Sequence, residues 1–132
     1  MKGLFKAALW LQIVWFALAV SYNCLSLASM AVGGRGFAGD QSGTVSALAV
    51  VVLFGTVTLT GFMRRKTLYR LFGPAVLVML LVGGVLKHMM LGPVSYASYS
   101  HWLVAILINA FGVAAYALGV RFAFSRRVSM PE

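Results

Sequence analysis

Apolar residues fall into four long runs, separated by short polar or glycine-rich stretches. Residues 7–34 carry no charge, a run of 28. A helix rises about 1.5 Å per residue and a bilayer's hydrocarbon core is about 30 Å thick, so about 20 apolar residues are enough to cross it. The pattern predicts a first helix over about 7–31. The stretch from Gly33 to Gly43 holds five glycines in eleven residues and predicts a flexible loop. Residues 44–63 are uncharged and predict a second helix, with Thr44 as its N-cap. A third is expected over 71–90, with Pro74 in its first turn, where proline is tolerated. Gly92-Pro93 ends it, and a fourth is expected over 102–122.

Composition agrees with this pattern. Of 132 residues, 61% are hydrophobic and 10% are charged, against about 45–50% and about 25% in ordinary soluble domains. So small a soluble core could not bury that much apolar surface, and disorder requires low hydrophobicity. The expected fold is all-α: a polytopic membrane protein, one membrane domain over 1–132, forming an antiparallel four-helix transmembrane bundle. Its connections are too short to hold a soluble domain.

The net charge of +9 changes meaning once the spans are placed. Lys2 and Lys6, then Arg64, Arg65, Lys66 and Arg70, then Arg121, Arg126 and Arg127 all fall on one side, nine of eleven basic residues. Only Arg35 and Lys87 fall on the other. The positive-inside rule then places both termini in the cytoplasm (N-in/C-in), which suits a bacterial inner or other plasma membrane. Tyr96, Tyr99 and Trp102 are expected at one interface, and Trp10, Tyr69 and Phe72 at the other, as aromatic belts. Phe-x-Arg-Arg closes both hairpins, at 62–65 and 124–127, and is read as recurring basic stops rather than a duplicated unit. Lys2, Lys6, the apolar run and Ser26-Leu27-Ala28-Ser29 could also be a cleaved signal peptide. Against this, the run exceeds the usual h-region of about 7–15 residues. Cys24 is read as a buried small hydrophobe rather than a lipidation site.

Motifs for chemistry are sparse. Gly34-x-Gly36-x-x-Gly39 matches a dinucleotide fingerprint literally, but no strand precedes it, so it is read as loop. The acidic residues are Asp40, in a loop, and Glu132, the last residue. With no carboxylate inside a span, ion-coupled transport lacks its usual binding group, and paired-carboxylate and di-iron chemistry are excluded. The chain is similar in size and four-helix plan to small multidrug transporters. Their first helix requires a glutamate, and Gln12 is the nearest polar residue here. No nucleophile–base pair is visible, so the protein is expected not to be an enzyme, and no cofactor is expected.

The polar residues inside the spans form stripes. Gln12, Phe16, Ala19, Asn23, Ser26 and Met30 share a face of the first helix. Trp102, Ala105, Asn109, Gly112, Tyr116 and Gly119 form a small and polar stripe on the fourth. Thr56 with Thr60, and Gly84 with His88, each lie one turn apart. Small residues let membrane helices approach closely, so these stripes predict the bundle interior. Asn23 lies about 24 Å along the first helix and Asn109 about 12 Å below His101. Asn23, Lys87, His88, His101 and Asn109 are therefore a candidate pocket opening outward, with Asp40 as the ion partner of Lys87. His88 and His101 also suggest haem ligation, and Met79, Met89, Met90 and Cys24 could supply soft copper ligands. Neither set has metal-motif spacing, so no metal site is expected. Arg64, Arg65, Lys66, Arg70, Arg126 and Arg127 are candidates for contact with anionic lipid head groups. No nucleic-acid partner is expected.

The leading functional expectation is a non-enzymatic accessory or assembly subunit, packing against a larger membrane complex or its own copies. The alternative is a carrier or binding protein for a small hydrophobic or anionic solute that uses the pocket. A haem- or quinone-binding redox subunit is third.

Overall fold

The structure is a computed structural model, and it describes residues 2–125. Arg126, Arg127 and Glu132 therefore lie outside the described residues. Four helices follow in order: α1 (Lys2–Ala31), α2 (Gln41–Phe62), α3 (Lys66–Leu91) and α4 (Tyr99–Phe124). Each is long and apolar enough to cross a bilayer, and four such candidate spans suggest a multi-pass membrane protein. There is no strand among the described residues, only an isolated bridge between Ala38 and Tyr96. Short connections set the helices antiparallel. Lys2, Lys6, Arg64, Arg65, Lys66, Arg70 and Arg121 gather at one end, the basic end. The loops at 32–40 and 92–98 form the opposite, glycine-rich end.

The helices exceed the uncharged runs because basic and polar residues continue them. The N-cap of α2 is Asp40, not Thr44: the Asp40 carboxylate accepts from Gly43 N–H at 2.7 Å. Thr44 lies buried in the first turn and donates back to Asp40 O. Lys66 to Arg70 are already helical, so Pro74 falls inside α3 rather than in its first turn. Proline lacks the N–H that would bond the carbonyl four residues back, which removes one rung of the ladder. A second irregularity follows at once: Leu80–Leu86 are π-helical.

These interruptions divide the bundle. Up to Met79, α3 packs on both α2 and α4; from Leu80 onward it packs on α4 and leaves α2. Close approach to α4 depends on Gly84, where a Cβ would sit 3.0 Å from Asn109 Cγ. Trp102 Nε1–H donates to His88 O at 2.9 Å and holds the end of α3 there. The half toward the basic end is the dense one, its core including Phe5, Leu9, Trp15, Val57, Tyr69, Val76 and Tyr116. In α2, nothing between Thr44 and Val51 is buried.

Several sequence expectations change here. Tyr69 is in the core, not in an interfacial belt, because it lies under Phe5 with ring centroids 5.3 Å apart. Tyr96 is buried by the loop pairing with Ala38, while Tyr99, Trp10 and Phe72 are exposed. Cys24 is exposed, on the outward side of α1. The glycine-rich loop is hydrogen-bonded to its surroundings: Phe37 N–H donates to Ser26 Oγ at 2.8 Å, Ala97 N–H to Phe37 O and Ser29 Oγ to Arg35 O.

Candidate functional site

Every helix contributes to one buried polar cluster near the basic end. Gln12 (α1), Thr58 (α2), Tyr69 (α3) and Tyr116 (α4) are each at most 1% exposed. Gln12 Nε2 donates to Tyr69 Oη at 2.6 Å and to Ala115 O at 3.2 Å. Thr58 Oγ1 donates to Gln12 Oε1 at 2.8 Å and lies 2.7 Å from Tyr116 Oη, which donates to Phe54 O at 2.8 Å. Thr58 and Tyr116 own one hydroxyl proton each, yet three short contacts run through them. Turning the Gln12 amide over supplies the missing proton, because Nε2 then donates to Thr58, Thr58 to Tyr116 and Tyr116 to Phe54 O. The cost is an amide oxygen 3.2 Å from Ala115 O. Gly119 makes room for this cluster, since a Cβ there would collide with Tyr69 Oη and Gln12 Nε2. Gly112 does the same for the indole of Trp15. The result is a buried, charge-free plug.

Above the plug, toward the glycine-rich end, lies a cavity of about 540 Å³. Trp15 and Phe54 form its floor, and all four helices contribute to its walls. Trp15 stands edge-on to Tyr116 at 5.8 Å, and its indole N–H is buried without a hydrogen-bond partner. Of the residues singled out from sequence, Asn23, Lys87, His88 and Asn109 line this cavity.

His101 does not. Its ring stacks on Phe37 at 4.3 Å and its Nδ1 lies 2.6 Å from Ser98 Oγ. Tyr22 Oη donates to His101 O at 2.9 Å. These contacts seal the glycine-rich end between α1 and α4. Because His101 belongs to that seal, it does not share one space with His88, as ligation of one haem iron by both would require. Among the described residues there is no group of three or more His, Cys, Asp or Glu that could hold a metal.

Asp40 does not pair with Lys87, because its carboxylate caps α2. Lys87 is exposed and has no ion pair among the described residues. His88 is half-buried beside Tyr96, and its Nδ1 is buried without a partner. Asn23 Nδ2 and Asn109 Nδ2 donate to Ala19 O and Ala105 O, each one turn back on its own helix. Their amide oxygens remain as acceptors.

At the basic end, Arg64 and Arg65 are exposed in the turn before α3. Arg70 is partly committed elsewhere: its Nε–H donates to Ala123 O at 2.7 Å, and its guanidinium lies over the Phe124 ring. A cation there also suits the negative end of the α4 dipole.

Sequence reasoning missed Thr58 and Tyr69. Thr56 and Thr60 attracted notice by their one-turn spacing, yet Thr56 is exposed and both hydroxyls bond their own helix. The available signal was the spacing of Thr58 from Phe54 and Gly61, which marks the buried face of α2. The chain matches no family model, no curated protein and no solved structure.

Proposed function

We propose that this protein is a binding or carrier protein of the membrane, taking a small hydrophobic or anionic solute into the cavity above the Gln12 plug. One observation carries the reading: a cavity of about 540 Å³ that has an apolar floor and a few polar groups, Asn23, Lys87, His88 and Asn109, on its walls. Ligand sites are typically about 300–1,000 Å³, mostly apolar, with a small number of placed polar groups. The positive-inside rule supports cytoplasmic termini in a plasma membrane, bacterial inner membrane included. The cavity then lies in the outer half of the membrane. Arg64 and Arg65 then face anionic head groups, each basic residue contributing about 1 kcal/mol.

The accessory-subunit reading has no surface of its own to support it. Apolar residues cover the outward faces of all four helices, as lipid alone requires. A non-catalytic role fits the lack of a carboxylate in the described spans.

The test is native mass spectrometry of protein extracted in mild detergent, comparing wild type with Gly83→Leu. A Cβ at Gly83 meets nothing within 4 Å, so leucine fills empty space. Wild type is expected to carry about one small molecule per chain, and the variant none. Empty protein in both cases, recovered at fixed stoichiometry with a larger membrane partner, would return the subunit reading to first place.

A further inference from the structure

Toward the glycine-rich end, two helices that pack together lower down wall the cavity and face one another across a gap. Gly43, Ala47 and Val50 lie along one side on α2, and Gly83, Lys87 and Leu91 along the other on α3. From Leu80 onward α3 rests on α4 and has left α2. The opposite side of the same end is closed by the stack of Tyr22, Phe37 and His101. The open side of the cavity therefore faces the surrounding bilayer, between α2 and α3.

We propose that a single-chain anionic amphiphile enters through this gap from the lipid. It lies with its chain against Trp15 and Phe54 and its head at Lys87. This rests on the reading of the cavity as a binding site and names what the site takes. Height fits one chain: Gly43 to Phe54 covers about 16 Å of helix at 1.5 Å per residue. That is about half of a hydrocarbon core of about 30 Å, the depth of one leaflet. Charge fits an anion, since Lys87 is without an ion pair among the described residues and Asp40 is held at its cap. With their Nδ2 groups donating to their own helices, Asn23 and Asn109 keep their amide oxygens as acceptors, which favours a head carrying hydroxyls beside its anion. A monoacylglycerol phosphate has this chemistry.

The probe is a monoacylglycerol phosphate with a dibrominated chain, added to protein in nanodiscs of neutral phospholipid. Bromine quenches tryptophan at contact, and the part of the signal lost in Trp15→Phe reports the cavity floor. Saturable quenching is expected. The uncharged monoacylglycerol of the same chain is expected to bind about fivefold more weakly, the effect of about one basic residue on an anionic head. Lys87→Gln should weaken the phosphate to the level of the uncharged lipid and leave the uncharged lipid unchanged. Gly83→Leu should abolish both. Lys87 is exposed, so Lys87→Gln carries the test even if Gly83→Leu fails to fold.

Equal saturable binding of both lipids, indifferent to Lys87→Gln, overturns the anionic head while keeping the binding site. Displacement of the probe by glycerol 3-phosphate as effectively as by the unlabelled lipid overturns the amphiphile in favour of a free anion. No saturable quenching by either lipid overturns the binding site itself.

Discussion

The two halves of this bundle use the same residue types to opposite ends. Toward the basic end, polar side chains from four helices meet each other: Gln12, Thr58, Tyr69 and Tyr116 are bonded across helices and buried. Toward the glycine-rich end, Asn23 and Asn109 bond only their own helices, and Lys87 has no ion pair among the described residues. Glycine shows the same contrast. Gly112 and Gly119 admit an indole, a phenol and an amide, whereas Gly83 faces nothing. In this bundle, polar residues close the structure where they are satisfied between helices, and line a cavity where they are not.

The largest effect should come from filling the tight half. Gly119→Leu drives a side chain into Tyr69 and Gln12, and overpacking typically costs about 1–3 kcal/mol, occasionally more. Unfolding by SDS titration in mixed micelles should show the loss; an unchanged midpoint would mean that the plug is not packed as described. Next is Gln12→Leu, which leaves Thr58 and Tyr69 without their amide partner and should cost about 1–3 kcal/mol by the same assay. The adjacent pair 83 and 84 sharpens the contrast within one turn. Gly84→Leu meets the Asn109 side chain and should destabilise by about 1–3 kcal/mol, while Gly83→Leu should stay within about 0.5 kcal/mol. Equal losses at the two positions would remove the cavity. The smallest effect is Thr56→Val, expected within about 0.5 kcal/mol because Thr56 is exposed and bonded to Leu53 O; Thr58→Val should cost more.

The spans, their number and the inward stripe of α4 were legible because burial follows a helical period: Ala105, Gly112, Tyr116 and Gly119 are all buried. The placement of Tyr69 was not. An aromatic residue near a helix end fits an interfacial belt, but Tyr69 turns inward while its neighbour Arg70 reaches back to Ala123 O. The splay of α3 was also hidden, since nothing in Leu80-Leu81-Val82-Gly83-Gly84 distinguishes a π segment from a regular turn. That choice of register sets Gly84 on Asn109 and Gly83 over open space. His101 was grouped with Lys87 and His88 by depth alone. Depth does not say which helix face a residue occupies, and His101 faces Phe37.

The most direct test of an open half above a sealed one is modification by a small uncharged maleimide, which reaches a thiol from water or through lipid. Single cysteines at Ala47, Gly83 and Thr58 would be made in a Cys24→Ala background, because Cys24 is itself exposed. Ala47 and Gly83 line the two walls of the cavity, and Thr58 is 1% exposed in the plug. The expected result is modification of Ala47→Cys and Gly83→Cys, slowed by the monoacylglycerol phosphate, with Thr58→Cys unreactive. Equal reactivity at all three positions, or none at Ala47→Cys and Gly83→Cys, would contradict it.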